Sequence, residues 1–149
     1  HKPLETIMEA RDVPFIHIAD PTGKEIKSQG LTRIILLGTM PVMKLSYLKK
    51  RYEDLFGLEI IVPSLDEQKE IDRIIFDELV KFEIKERSRQ KYVKIVDRLV
   101  REQGAEGVIL GCTEIFLLLR QKDLPSLPMF NTTKLHCRAA VDFALNSPA

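Results

Sequence analysis

The chain has little cysteine, no tryptophan and no excess of charge. Two cysteines among 149 residues exclude a disulfide framework and indicate a reducing, cytoplasmic compartment. The 23 Lys and Arg residues balance 22 Asp and Glu residues, which argues against a nucleic-acid-binding surface and against an acidic tail. No apolar run approaches the roughly 20 residues of a membrane span, and no signal-peptide pattern is present.

The pattern of apolar residues predicts an α/β fold. Hydrophobic residues make up 44% and charged residues 30% of the sequence, as in an ordinary packed domain. Predicted strands cover residues 13–18, 33–37, 58–62, 107–110 and 127–130. Predicted helices cover residues 21–29, 45–55, 66–82, 92–104, 115–119 and 132–145. Because strands and helices alternate, we expect a three-layer fold in which a mainly parallel sheet has helices on both faces.

Polar residues follow two of these strands, where the ligand crevice of an open α/β sheet lies. Thr39 follows the strand at residues 33–37, and Cys112 follows the strand at residues 107–110. In the first turn of a helix, backbone N–H groups would lower the pKa of Cys112 below about 8.5, and Thr113 would cap that helix. A cysteine beside a buried strand is, however, more often a small core residue, so both interpretations stay open on spacing alone.

The patterns around the other cysteine and around His17 predict structural roles for both. Cys137 shares a helical stripe with Ala140, Val141 and Ala144, which predicts core packing and makes Cys112 the more reactive thiol. His17 interrupts an apolar segment, and a structural hydrogen bond is the favoured interpretation. The cysteines lack CxxC spacing, and no HExxH, GxSxG, GxGxxG or GxxxxGK[ST] motif occurs, so neither a metal nor a cofactor is predicted.

Residues 107–114 (GVILGCTE) resemble the second cysteine motif of the aspartate/glutamate racemase family. Further segments agree in the same order: residues 14–20 (PFIHIAD), 36–39 (LLGT), 63–67, 74–76 and 130–132 (FNT) before His136. The resemblance covers essentially the whole chain. It implies two similar α/β domains and a cofactor-independent enzyme that uses two cysteines as acid and base.

The resemblance also implies a reaction and a set of site residues. The expected activity is racemisation of aspartate and/or glutamate by two-thiol exchange of the α-proton, with Cys112 as one acid/base. The implied substrate-binding residues are Thr39, Thr113 and Lys81, and the implied supporting residues are Glu114, for which helix capping ranks first, and His1. The expected partner is a small amino dicarboxylic acid, without nucleic acid or membrane, and a homodimer is a candidate assembly.

The chain departs from the family pattern at its beginning. It starts at His1, just after the position of the first cysteine, so the partner of Cys112 is absent from it. We expect residues 1–30 to be a remnant of the first domain, residues 31–130 the second domain, and residues 131–149 a C-terminal helix that packs on the first. Val42 stands where relatives often have Thr. The alternatives are a single-cysteine relative, such as a decarboxylase of malonate-type acids or a maleate isomerase, and a non-catalytic fragment.

Overall fold

Four parallel strands form the centre of the fold. They are β1 (Arg33–Leu37), β2 (Glu59–Ile61), β3 (Gly107–Leu110) and β4 (Met129–Asn131). The computed structural model describes Ile7 and residues 14–146. Within this part, the strand order is β2-β1-β3-β4 and every neighbouring pair is parallel. The predicted α/β fold with a parallel sheet is therefore confirmed.

Helices and short helical turns connect the strands. The helices are α1 (Ala19–Ser28), α2 (Met40–Lys44), α3 (Ser46–Phe56), α4 (Leu65–Asp77), α5 (Glu86–Gln103), α6 (Ile115–Leu118) and α7 (Thr132–Asn146). Two 3-10 turns occupy Leu79–Lys81 and Gln121–Asp123. Across the described residues, none of the helices is both long and apolar enough to pass through a membrane.

Both faces of the sheet are covered, as the continuous apolar run of β1 predicts. Successive side chains of a strand point to opposite faces. Ile34 and Leu36 pack in a cluster with residues of α1 and α3, whereas Ile35 and Leu37 pack in a second cluster with residues of α4 and α5. All four β1 side chains are fully buried. The sheet is thus the middle of three layers, and only its strand ends are open to a ligand.

The ends of the longer helices follow local sequence signals. Gly57 ends α3 and Gly104 ends α5 with φ of 67° and 64°, a conformation that glycine adopts without steric cost. The predicted helix starts at residue 66, whereas Ser64 is the cap of α4. The Ser64 hydroxyl accepts from the Glu67 N–H, and the Glu67 carboxylate accepts from the Ser64 N–H. This reciprocal pair is a capping box, which begins α4 at Leu65.

The predicted strand at residues 13–18 is wrong in the part that the structure describes. Residues 14–17 are irregular and pair with none of the four strands described above. The chain already turns at His17, whose carbonyl accepts from the N–H of Asp20 at 3.0 Å, and α1 follows. Ala19, the first residue of α1, is fully buried.

Three apolar side chains that we assigned to buried helical stripes are exposed. Leu45 is 61% exposed because the backbone is extended there, between α2 and α3, and Leu55 is 54% exposed near the end of α3. Phe82 is 79% exposed, since α4 ends at Asp77 and a 3-10 turn separates the two residues. The apolar spacing therefore predicted helices over residues 45–55 and 66–82 with more buried positions than the structure has.

The last helix packs on the N-terminal segment through one face only. α7 contacts α1, and His136 Nε2 donates to the carbonyl of Ile16 at 2.8 Å. Cys137, which we predicted to pack in a core, is exposed. Val141 and Leu145 on the same helix are 56% and 78% exposed. The predicted core stripe of Cys137, Ala140, Val141 and Ala144 is therefore wrong, because all four residues are exposed.

Candidate functional site

The candidate site lies where the strand order reverses. β1 and β3 are neighbours, and their last residues, Leu37 and Leu110, pair in register. From β1 the chain proceeds to β2 on one side, whereas from β3 it proceeds to β4 on the other. The two loops therefore diverge and leave a crevice at the carboxyl ends of the strands. Thr39 and Cys112 follow these two strands and flank the crevice.

Two glycines allow the loops to approach each other. The N–H of Gly111 donates to the carbonyl of Leu37 at 2.7 Å. A Cβ atom at Gly111 would lie 2.7 Å from that same oxygen, and a Cβ atom at Gly38 would lie 2.6 Å from Cγ1 of Val42. Both distances are shorter than van der Waals contact, so a side chain at either position would force the neighbouring atoms to move. Val42, which stands where relatives often have Thr, packs between the two loops.

We expect Gly111→Ala to destabilise the fold by about 1–3 kcal/mol, because the methyl group would meet backbone that cannot move aside. Gly38→Ala is the matched control, since its closest contact is a side chain. Adding Val42→Ala shortens the side chain that the Gly38→Ala methyl group meets, so Gly38→Ala/Val42→Ala should regain most of the lost stability. Gly111→Ala/Val42→Ala should not regain it, because its methyl group meets backbone. Urea denaturation would measure both pairs, and equal recovery in the two would contradict this packing argument.

The side chain of Cys112 is hydrogen-bonded to Glu114. Sγ of Cys112 donates to Oε2 of Glu114 at 2.9 Å, and Cys112 is half-buried. Cys112 lies in a bend that precedes α6, rather than in the first turn of the helix. The backbone N–H groups of Thr113 and Glu114 approach the sulfur atom. The thiol therefore has a carboxylate on one side and backbone donors on another.

The prediction of a lowered pKa for Cys112 is wrong. Burial of the sulfur, together with the hydrogen bond and charge of Glu114, raises the pKa of the Cys112 thiol to about 11. The N–H groups of Thr113 and Glu114 lower this pKa, but by less. Helix α6 has only four residues, so its dipole is small, whereas a carboxylate next to a thiolate is an unfavourable pair of like charges. Cys112 is consequently a protonated thiol at neutral pH.

Glu114 is the partner of Cys112 and not a helix cap. It occupies the position before α6, but its side chain makes no capping hydrogen bond. Its pKa is lowered because its carboxylate accepts hydrogen bonds from the Cys112 thiol and from Thr113. Our ranking of capping above positioning was therefore wrong. Thr113 itself is exposed at the mouth of the crevice.

Replacing Glu114 by Gln should make Cys112 more reactive. The substitution keeps a hydrogen-bond acceptor and removes the negative charge, so the pKa of Cys112 falls and more thiolate is present at pH 8. We expect iodoacetamide to alkylate Cys112 roughly tenfold faster at that pH. Cys137 is an internal control, because it is exposed on α7 and should react at an unchanged rate.

Mass spectrometry of the two labelled peptides measures both rates in one sample. In the wild-type chain Cys137 should be labelled first, which reverses the order that we predicted from the sequence. An unchanged or slower rate at Cys112 in Glu114→Gln would contradict the electrostatic role of Glu114.

Thr39 lies directly before α2 and has a carboxylate next to it. Its side chain is half-buried and makes no capping hydrogen bond. The N–H of Met40 donates to Oδ1 of Asp72 on α4 at 2.6 Å. Sequence reasoning missed Asp72. The available signal was its position one turn after the buried Gln68, at the edge of the apolar face of α4.

The remaining predicted residues lie away from this cluster or outside the described residues. Lys81 is exposed on the 3-10 turn before Phe82. The hydrogen bond and charge of Lys85 lower the pKa of Glu83, and the charge of Lys81 adds to this larger effect. His1 is outside the described residues. His17 is buried and has the structural role that we favoured, because its Nδ1 accepts from the N–H of Ala19 at 3.0 Å and its Nε2 contacts the hydroxyl of Tyr47 at 2.9 Å. In the described part of the chain, no group of three or more His, Cys, Asp or Glu side chains could hold a metal ion.

Comparison with known sequences assigns the family. Residues 1–140 match the Asp/Glu/Hydantoin racemase family. The chain belongs to this family. The match includes residues 107–114, the segment that carried the resemblance in the sequence.

Solved structures of similar proteins agree with the racemase fold. A candidate Asp/Glu racemase from Yersinia pestis is 40% identical with a TM-score of 0.91, and the alignment covers 98% of this chain and 63% of that protein. An aspartate racemase homologue from Pyrococcus horikoshii is 33% identical with a TM-score of 0.90 and the same coverage. The aspartate racemase of Picrophilus torridus, at 18% identity and a TM-score of 0.66 over 91% of this chain and 55% of that one, shares the fold. The chain therefore spans less than two thirds of these proteins.

Proposed function

We propose that this chain is part of a cofactor-independent isomerase that racemises aspartate and/or glutamate, with Cys112 as one of two acid/base thiols. The observation that carries the proposal is the Cys112–Glu114 hydrogen bond at the crevice between β1 and β3, in a chain of the racemase family. The names of the similar proteins from Yersinia pestis and Pyrococcus horikoshii support the same class of substrate.

The environment of Cys112 suits the acid role in this reaction. Racemisation breaks the Cα–H bond on one face of the substrate and forms a new one on the opposite face. A thiol whose pKa is about 11 carries its proton at neutral pH and can deliver it to the carbanion. In the reverse direction the Cys112 thiolate takes the proton. Cys112 is a thiolate after it has delivered its proton, so one turnover in each direction returns the thiol to its starting state.

Two threonine hydroxyls support binding of the substrate α-carboxylate. Thr39 and Thr113 follow the adjacent strands β1 and β3, so a small anion in the crevice can receive a hydrogen bond from Thr39, and from Thr113 when its hydroxyl exchanges the Glu114 carboxylate for the substrate. Lys81 lies on a turn that contacts α6 and remains a weaker candidate for the side-chain carboxylate. No metal or organic cofactor has a role in this proposal.

The second thiol belongs to a first domain in this proposal. Residues 31–130 form the second domain, residues 1–30 belong to the first domain, and the helix in residues 131–149 returns to pack on it. The contact of α7 with α1 and the His136–Ile16 hydrogen bond support the packing of the last helix on residues 1–30, and the exposed apolar side chains of α7 support a further domain beside it. Helix α1 itself also packs on the sheet, against Ile34 and Leu36. Below, the completed protein means this chain preceded by a first domain that carries a Cys-(x)-Asn-Thr segment.

The test is an assay of the completed protein without added cofactor. L- and D-aspartate and L- and D-glutamate are incubated separately, and chiral chromatography measures the opposite enantiomer. Maleate and a malonate-type acid are included because single-cysteine relatives would act on them. Formation of the opposite enantiomer of aspartate or glutamate is the expected result. Isomerisation of maleate or decarboxylation of the malonate, without any racemisation, would overturn the proposal.

A further inference from the structure

One contact at the crevice joins residues that are 32 positions apart in the chain. The carboxylate of Asp72, on α4, accepts a hydrogen bond from the backbone N–H of Met40 at 2.6 Å. Met40 directly follows Thr39 and is the first residue of α2. This contact fastens the loop after β1 to α4, which packs on one face of the sheet. The burial of Ile71 and Ile75 on either side of Asp72 fixes that helix against the core.

The Thr39 hydroxyl makes no capping hydrogen bond to the helix that it precedes. A threonine before a helix usually accepts from the N–H of the second or third helical residue. In α2 the second residue is Pro41, which has no N–H, and the N–H of the third residue, Val42, does not donate to the Thr39 hydroxyl. The backbone carbonyl of Thr39 accepts from Met43 at 3.1 Å, but its hydroxyl makes no capping hydrogen bond. The hydroxyl is therefore not committed to the helix.

Asp72 also lies at the same end of the fold as Cys112. The buried hydroxyl of Tyr92 donates to the carbonyl of Ile71 at 3.3 Å, next to Asp72 in the chain. The pKa of Tyr92 is raised by its burial and further by the charges of Cys112 and Asp72. Asp72 holds Met40 just after β1, and Cys112 follows β3, whose last residue Leu110 pairs with Leu37 of β1, so both residues belong to the same edge of the sheet.

We infer that Asp72 is a positioning residue that holds the Thr39 loop so that the Thr39 hydroxyl faces the crevice and binds the substrate carboxylate. The inference rests on the proposed function and adds a residue to it. Asp72 acts through the Met40 N–H and does not touch the substrate. Without this acceptor the loop relaxes, and the Thr39 hydroxyl turns toward the remaining N–H groups of α2.

Four variants of the completed protein test the inference. Asp72→Ala removes the acceptor, Asp72→Asn keeps an Oδ1 acceptor in the same place, Thr39→Val removes the hydroxyl, and Thr39→Val/Asp72→Ala combines two changes. Asp66→Ala is the matched control, because it removes an exposed carboxylate from the first turn of the same helix. KM and kcat for the better of aspartate and glutamate are measured for each protein.

Asp72→Ala should raise KM roughly five- to tenfold with a smaller change in kcat, since binding of the carboxylate is lost about equally in the ground and transition states. Asp72→Asn should recover most of this loss, and Asp66→Ala should match the wild type. The double variant should have the KM of Thr39→Val alone, because the two residues act through one hydroxyl. A general loss of stability would not produce this pattern.

The inference is overturned by an unchanged KM in Asp72→Ala, by equal losses in Asp72→Ala and Asp72→Asn, or by additive effects in the double variant. Each of these outcomes leaves an active wild-type protein and so spares the proposed function. A wild-type protein that racemises neither substrate overturns the proposed function itself, which separates the two failures.

Discussion

Replacing Cys112 by Ala in the completed protein should reduce racemisation of its substrate at least roughly 10²- to 10⁴-fold in both directions. The alanine side chain can neither donate nor accept a proton, so one face of the substrate loses its acid/base group. Initial rates from the L and the D enantiomer, measured by chiral chromatography, give the effect for each direction.

Cys137→Ala is the matched control for this substitution. It changes the same atoms at an exposed position of α7, away from the crevice, and should retain the wild-type rates. Comparable losses in the two variants would show that removing any thiol disturbs the protein. A Cys112→Ala variant with wild-type rates would remove Cys112 from the reaction.

The chain of 149 residues by itself should not racemise aspartate or glutamate. Its other cysteine is on α7, and the crevice therefore has an acid/base thiol on one face only. Weak binding of the substrate through Thr39 and Thr113 is still expected. The measurement is the chiral assay at high protein concentration, with the completed protein as the positive control.

Addition of the first domain as a separate chain extends that experiment. If the two halves associate, activity should appear in the mixture and disappear when the mixture contains Cys112→Ala. Racemisation by the 149-residue chain alone, at a rate comparable with that of the completed protein, would contradict the two-thiol division of the site.

The parts of the fold that the sequence predicts best are those set by local physics. The run at residues 33–37 gives a strand buried on both faces, as parallel sheets require, and Gly57 and Gly104 end helices in the left-handed conformation. The placement of Thr39 beside Cys112 follows from the same pattern, because adjacent parallel strands bring their carboxyl ends together. Periodicity was less reliable where a helix ends early, as before Phe82.

The chemistry of the site depends on contacts that spacing does not reveal. Residues two apart do not face each other on a helix, but the bend before α6 brings Glu114 back onto Cys112. Burial of the sulfur, together with this carboxylate, raises the pKa of Cys112 instead of lowering it. Asp72 reaches Met40 only because α4 packs beside the β1 loop, and no motif connects the two. Exposure of Cys137 depends on what surrounds α7 rather than on its own stripe.

The most direct test of the central claim is incubation of the substrate in D₂O with the completed protein, followed by chiral chromatography to separate the enantiomers and mass spectrometry to measure deuterium at Cα in each. Starting from one enantiomer of aspartate or glutamate, the wild type should form the opposite enantiomer with deuterium at Cα, because the new C–H bond is made with a solvent-exchanged thiol. Cys112→Ala should form no labelled product of inverted configuration, whereas Cys137→Ala should form it at the wild-type rate. Full formation of the inverted, deuterated product by Cys112→Ala would contradict the assignment of Cys112 as an acid/base of the reaction.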